Sequence, residues 1–104
     1  MFTGIITDIG EIIALEQRDG AQLRRLRIAC SYDRATIADG ASIACNGVCL
    51  TVVASGVAGG RTWFDADAGA ETLSITTAAQ WQVGSKLNLE RALKIGDELG
   101  GHIV

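Results

Sequence analysis

Hydrophobic and polar residues alternate along much of this chain, with the period of two that sends successive side chains to opposite faces of a strand. Residues 23–30 show it clearly: Leu26, Ile28 and Cys30 fall on one face, Arg25 and Arg27 on the other. Residues 41–53 (ASIACNGVCLTVV) alternate on both sides of Asn46-Gly47, a dipeptide that favours a two-residue hairpin turn. A two-residue turn fixes the register, so Cys45 faces Val48, Ala44 faces Cys49, Ile43 faces Leu50 and Ser42 faces Thr51. Ile43, Cys45, Val48, Leu50 and Val52 then form an apolar face, and Ser42, Cys49 and Thr51 gather on the opposite one.

The same reading predicts a first strand over residues 2–9 that continues past Gly10 into 11–15, and a turn over 17–22 around Asp19-Gly20. Residues 31–39 are polar and irregular, with room for a short helical turn. After the hairpin strands, at about 41–45 and 48–55 by their alternation, residues 56–60 read as a glycine-rich connection and 61–66 as a fifth strand. Residues 70–79 read as a short helix. Val83-Gly84 marks a turn before a sixth strand over 85–92, where Leu87 and Leu89 alternate with Lys86, Asn88 and Glu90. Six short strands with little helix predict an all-β fold, a small six-stranded antiparallel barrel, since closure removes the unpaired edges that open strands would leave.

Composition narrows the picture. With 104 residues, 48% of them hydrophobic and 20% charged, the chain fits one globular domain. Its net charge of −3 offers no basic surface for nucleic acid or an anionic membrane. Arg25 and Arg27 share a strand face, which suggests a solvated edge or a subunit contact. No stretch has the length of a membrane-spanning helix, and Asp8 interrupts the apolar N-terminal run that a signal peptide would need. Three cysteines are too few for a disulfide scaffold and fit a reducing cytoplasm.

The outer face of the hairpin, with two hydroxyls and a thiol, is the first place to look for chemistry, although a polar outer face is also the ordinary condition of a half-buried sheet. Cys45 and Cys49 have the spacing of half a zinc site, with His102 as a distant third ligand. The register sends them to opposite faces, and four convergent ligands are lacking. Cys49 with His102 could form a thiolate–imidazole pair, or Cys49 could simply pack. The glycine runs match no phosphate-binding loop. Asp65, Asp67 and Glu71 lie close together. Glu71 and Thr72 could present helix N-terminal amides to a ligand, or Asp67 could cap the helix and Glu71 complement its dipole.

These motifs together resemble the riboflavin synthase family. The resemblance is carried by Met1-Phe2-Thr3-Gly4-Ile5-Ile6, by Gly40-Ala41-Ser42 with Asn46-Gly47-Val48-Cys49-Leu50-Thr51-Val52, and by Phe64-Asp65-Ala66-Asp67 with Glu71-Thr72-Leu73. Val83-Gly84, Leu87-Asn88-Leu89-Glu90-Arg91-Ala92 and Gly100-Gly101-His102 complete it. The blocks run from end to end of the chain in family order.

The resemblance implies two similar six-stranded Greek-key barrels followed by a C-terminal helix that assembles a homotrimer. It implies transfer of a four-carbon unit between two molecules of 6,7-dimethyl-8-ribityllumazine, giving riboflavin and 5-amino-6-ribitylamino-pyrimidinedione, with no metal and no organic cofactor. Each active site would lie between the N-terminal barrel of one subunit and the C-terminal barrel of another. The sequence reaches Val104 where the first barrel would pass into the second, so it is expected to be the N-terminal half alone, self-associating as a homodimer.

Carried over by position, Gly4, Ile5 and Ile6 would border the lumazine, and Cys49, Leu50 and Thr51 would line the pocket from the hairpin. Asp67, Ala68, Gly69, Ala70, Glu71 and Thr72 would contact the ring and the ribityl chain. Phe2, Ser42, Cys49 and His102 match positions linked to turnover. Gly69 replaces a larger residue common in the family, and Val48 stands where some relatives carry a second cysteine. A non-catalytic lumazine or flavin carrier is the alternative the resemblance allows.

Overall fold

The computed structural model describes residues 4–18, 23–69, 72–73 and 76–92. Six strands run β1 (Asp8–Arg18), β2 (Leu23–Cys30), β3 (Ser42–Cys45), β4 (Val48–Ala58), β5 (Arg61–Gly69) and β6 (Lys86–Arg91). They close into an antiparallel barrel in the order β1-β2-β5-β4-β3-β6, with β6 returning to β1. Strands β3, β4 and β5 form consecutive hairpins. β2 lies beside β5 and β6 beside β3, so two Greek keys share the same three hairpin strands. No helix among the described residues is long and apolar enough to cross a membrane.

The hairpin register is the one the Asn-Gly turn predicts: Ser42 pairs with Thr51, Ile43 with Leu50, Ala44 with Cys49 and Cys45 with Val48. Asn46 (φ 49°) and Gly47 (φ 83°) both adopt the left-handed backbone that such a turn requires. Ile43, Cys45, Leu50 and Val52 point into the core beside Phe64, Ile12, Ile28, Leu26, Leu87 and Leu89. Each of these larger aliphatic or aromatic side chains contributes about 1.5–3 kcal/mol through burial. Gly10 lies where β1 crosses the crowded interior. A Cβ there would come within 2.7 Å of Ile28 and 2.8 Å of Leu89.

Several boundaries differ from the sequence reading. β1 begins at Asp8, and β4 runs through Gly56 to Ala58, so only Gly59-Gly60 turns the chain. β5 continues to Gly69, which puts Asp67 within a strand and overturns its reading as a helix cap. Of the helix expected over 70–79, Thr72 and Leu73 have helical backbone and Thr76 N donates to Thr72 O. Thr77–Gln80 forms a 3-10 turn instead, and residues 70, 71, 74 and 75 lie outside the described residues. Another 3-10 turn, Arg34–Thr36, is capped by Asp33. The expected Asp19-Gly20 turn falls outside the described residues.

Arg24 departs from the simple alternation. Its position in β2 faces inward, and its buried guanidinium closes one end of the barrel by donating to Ala78 O (2.5 Å) and Trp81 O (2.6 Å). The 3-10 turn is thereby tied to the barrel, with buried Trp81 beside it.

Candidate functional site

Strand pairing turns separate stretches of sequence into rows across the outside of the barrel. One row reads Glu16, Arg25, Asp67, Thr51 and Ser42, crossing from β1 through β2, β5 and β4 to β3. A second row, two residues along, holds Cys49 on β4, Ala44 on β3 and Glu90 on β6. Ser42, Thr51, Cys49 and Asp67 therefore occupy one outer face because every residue between them points into the core.

The charges on this face are organised. Arg25 grips Asp67 with two parallel hydrogen bonds, Nε to Oδ1 at 2.7 Å and Nη2 to Oδ2 at 2.8 Å. Arg27 holds Asp65 the same way at 2.8 and 3.0 Å, and its guanidinium lies 3.7 Å from the Trp63 ring centroid. Hydrogen bonding to these carboxylates raises the pKa of both arginines. The two-pronged geometry fixes the carboxylate planes, as single-point contacts would not. Both arginines thus sit within paired strands of a closed barrel, which excludes the edge reading. They border a surface cavity of about 440 Å³ together with Ala14, Leu15, Glu16 and Asp65. A smaller cavity of about 130 Å³ opens beside Ser42, Ile37 and Arg91.

The N-terminal segment flanks the second row. Gly4 N donates to Glu90 Oε2 at 2.8 Å, Thr7 N donates to Leu89 O at 2.9 Å, and Thr7 Oγ1 lies 2.6 Å from Tyr32 Oη. Between these ties, Ile5 and Ile6 are 57% and 49% exposed. The face thus carries hydroxyls, a thiol and a fixed carboxylate, and the N-terminal segment with its two exposed aliphatic side chains is tied to β6 at Glu90, in the same row as the thiol.

Cys49 is exposed on this face, while Cys45, one pairing nearer the turn, is fully buried on the other side of the sheet, so the pair cannot converge on one metal ion. Leu50 and Ala68 are also buried in the core, which leaves only their main chains to meet a ligand. Gly69 ends β5 and Thr72 is half-buried. Phe2, Ala70, Glu71 and His102 lie outside the described residues. The alternation placed Arg25 and Glu90 on outer faces, but it carried no sign of the Asp67 partnership or of the burial of Glu90.

A closed double Greek-key barrel with a hydrogen-bonding outer face next to exposed aliphatic residues defines a class of small β-barrel modules. The lumazine binding domain family matches residues 3–92, and the chain belongs to that family. It is 54% identical to riboflavin synthase of Brucella abortus over 105 residues, covering all of this chain and 51% of that protein. It is 45% identical to riboflavin synthase of Mycobacterium bovis and 38% identical to that of Bacillus subtilis, covering 49% and 46% of them. The chain spans about half the length of these curated relatives.

Proposed function

We propose that this chain is the N-terminal barrel of a riboflavin synthase. It would hold 6,7-dimethyl-8-ribityllumazine or riboflavin on the face described above and supply half of the site where two lumazines become riboflavin and 5-amino-6-ribitylamino-pyrimidinedione. The observation that carries this reading is the shared outer face of Ser42, Thr51, Asp67 and Cys49, with Gly4 tied to Glu90 in the row of Cys49, in a barrel that matches the family over residues 3–92. Ile5 and Ile6 offer an apolar wall to a flat heterocycle. The hydroxyls of Ser42 and Thr51 and the main chain at Leu50, Ala68 and Gly69 offer hydrogen bonds to ring carbonyls and ribityl hydroxyls. Ala70, Glu71 and Thr72 extend that set on the sequence argument.

The reaction requires a proton to leave an activated methyl group on one lumazine and a nucleophile to add to the other. Ser42 and Cys49, with Phe2 and His102 from the family pattern, would orient a water or hydroxide and stabilise the anions that form. Holding two identical heterocycles in opposition supplies much of the rate by orientation alone. A homotrimer is the expected assembly of the two-barrel enzyme. Three free cysteines suit a reducing cytoplasm.

Titrating the chain with riboflavin while following flavin fluorescence tests this reading. Saturable quenching at one flavin per chain is the expected result, and no quenching overturns it. Turnover of lumazine after adding a C-terminal barrel separates a synthase half from a carrier, which would bind without turning over.

A further inference from the structure

Carboxylates on the described outer face have different partners. Asp65 and Asp67 are held by arginines, whereas Glu90 on β6 is buried to 7% exposure and accepts a hydrogen bond from a main-chain amide 86 residues away, Gly4 N. Withdrawing a carboxylate that far from water costs free energy unless hydrogen bonds replace hydration. Gly4 has a matching peculiarity. Its φ of +83° is left-handed, yet a Cβ built on it would meet nothing within 4 Å. Crowding therefore does not explain a glycine here. The backbone angle that turns its N–H onto Glu90 does.

From these two observations we infer that Glu90 is a positioning residue that latches the N-terminal segment over the barrel and so holds Ile5 and Ile6 as one wall of the ligand site. The latch rests on the lumazine-binding reading. Glu90 pairs with Ala44, and Ala44 with Cys49, so the anchor stands in the same cross-strand row as the thiol of the site. The second tie, Thr7 N to Leu89 O, lies on the far side of Ile5 and Ile6. The segment is a short strap fixed at both ends, with its two apolar side chains displayed between the ties. Without Glu90 this tie is lost, and a ligand must then order more of the strap at the expense of its own affinity.

Riboflavin affinity, measured by fluorescence quenching on the wild-type chain, Glu90→Ala, Glu90→Gln, Gly4→Pro and the double variant Glu90→Ala/Gly4→Pro, tests the latch. A hydrogen bond to a charged group is at stake, so Glu90→Ala is expected to weaken binding about tenfold or more. Glu90→Gln, whose side-chain oxygen still accepts from Gly4, is expected to recover most of the loss. Gly4→Pro removes the N–H and the left-handed backbone from an exposed segment outside the strands. It should match Glu90→Ala, and the double variant should lose nothing further.

Wild-type affinity in Glu90→Ala, or additive losses in the double variant, overturns the latch. Should Glu90→Ala fail to fold, undiminished binding by Gly4→Pro overturns it and a matching loss supports it. A wild-type chain that takes up no flavin overturns the binding reading and this inference with it, whereas wild-type uptake with an unaffected Glu90→Ala overturns the latch alone.

Discussion

The three cysteines show how much one side-chain position decides. Cys45 is sealed inside the barrel, and burial pushes its thiol up to about 12, with a smaller contribution from Cys49. Cys30, also buried, is raised for the same main reason, loss of hydration. Cys49, four residues after Cys45, stands exposed. An alkylating reagent attacks the thiolate, so at pH 8 the folded chain should lose one thiol quickly, and all three only on unfolding. A Cys49→Ser variant should abolish the fast phase, and equal rates for two or three thiols would refute the assignment. The same burial sets a pH trend. The fold favours neutral Cys45, while the unfolded chain ionises near its ordinary value of 9.0. The stability from Cys45 is therefore complete below about pH 9 and is lost as pH rises toward 12. Urea midpoints across that range give the measurement. The opposed fates of Cys45 and Cys49 were legible in the sequence, because a two-residue turn and a period of two are local signals. The latch on Glu90 was not, because its partner lies at the other end of the chain.

At the scale of elements, β4 and β5 form a stacked layer that local sequence disguised. Trp63 lies over Gly56, where a Cβ would come within 2.6 Å of the ring, and Arg27 covers the same indole. The glycines of residues 56–60 look like a connection, yet Gly56 is a strand residue whose missing side chain is the space the indole fills. Replacing Gly56 by Ala must displace the ring and disturb the Arg27–Asp65 pair beside it. That overpacking is expected to cost about 1–3 kcal/mol, seen as a lower urea midpoint with an unchanged m-value. An unaltered midpoint would show that the ring moves freely. Residues 23–30 and the Asn-Gly hairpin were readable because each carries its own pattern. The full length of β5 was not, because what keeps residues 67–69 extended is pairing with β2, where Arg25 meets Asp67 and Leu23 meets Gly69. Within the stretch expected as a helix over 70–79, the 3-10 turn at Thr77–Gln80 has a related reason. Arg24, on the opposite strand, binds Ala78 O and Trp81 O and draws a short 3-10 turn against the barrel end.

For the whole molecule, closure of the barrel settles how copies of this chain could meet. Among the described residues every strand has a partner on both sides, so these strands offer no free edge for strand addition and association through the barrel uses side-chain surfaces. Aliphatic residues remain exposed on the outside: Ile5 and Ile6 on the strap, Ile9 and Ile13 on β1, and Val53 and Val57 on β4. The strap residues adjoin the proposed ligand face, and apolar residues left exposed beside a binding face mark a surface that associates with something. The reaction proposed for the family places two like heterocycles against each other, so a face shaped for one ligand is also shaped to meet a similar face across a two-fold axis. A symmetric dimer is therefore expected of the 104-residue chain, with like patches in contact and Ile5 and Ile6 near the axis. A stable contact of this kind buries about 800 Å² per partner, so a single charge in its centre should be felt. Sedimentation equilibrium at micromolar concentration should show a dimer for the wild-type chain and a shift toward monomer for Ile5→Glu, because a buried unpaired carboxylate is unfavourable there. A wild-type monomer across that range would overturn the dimer. A dimer that Ile5→Glu leaves intact would move the contact to another face, with Ile9 and Ile13 next in line for the same substitution.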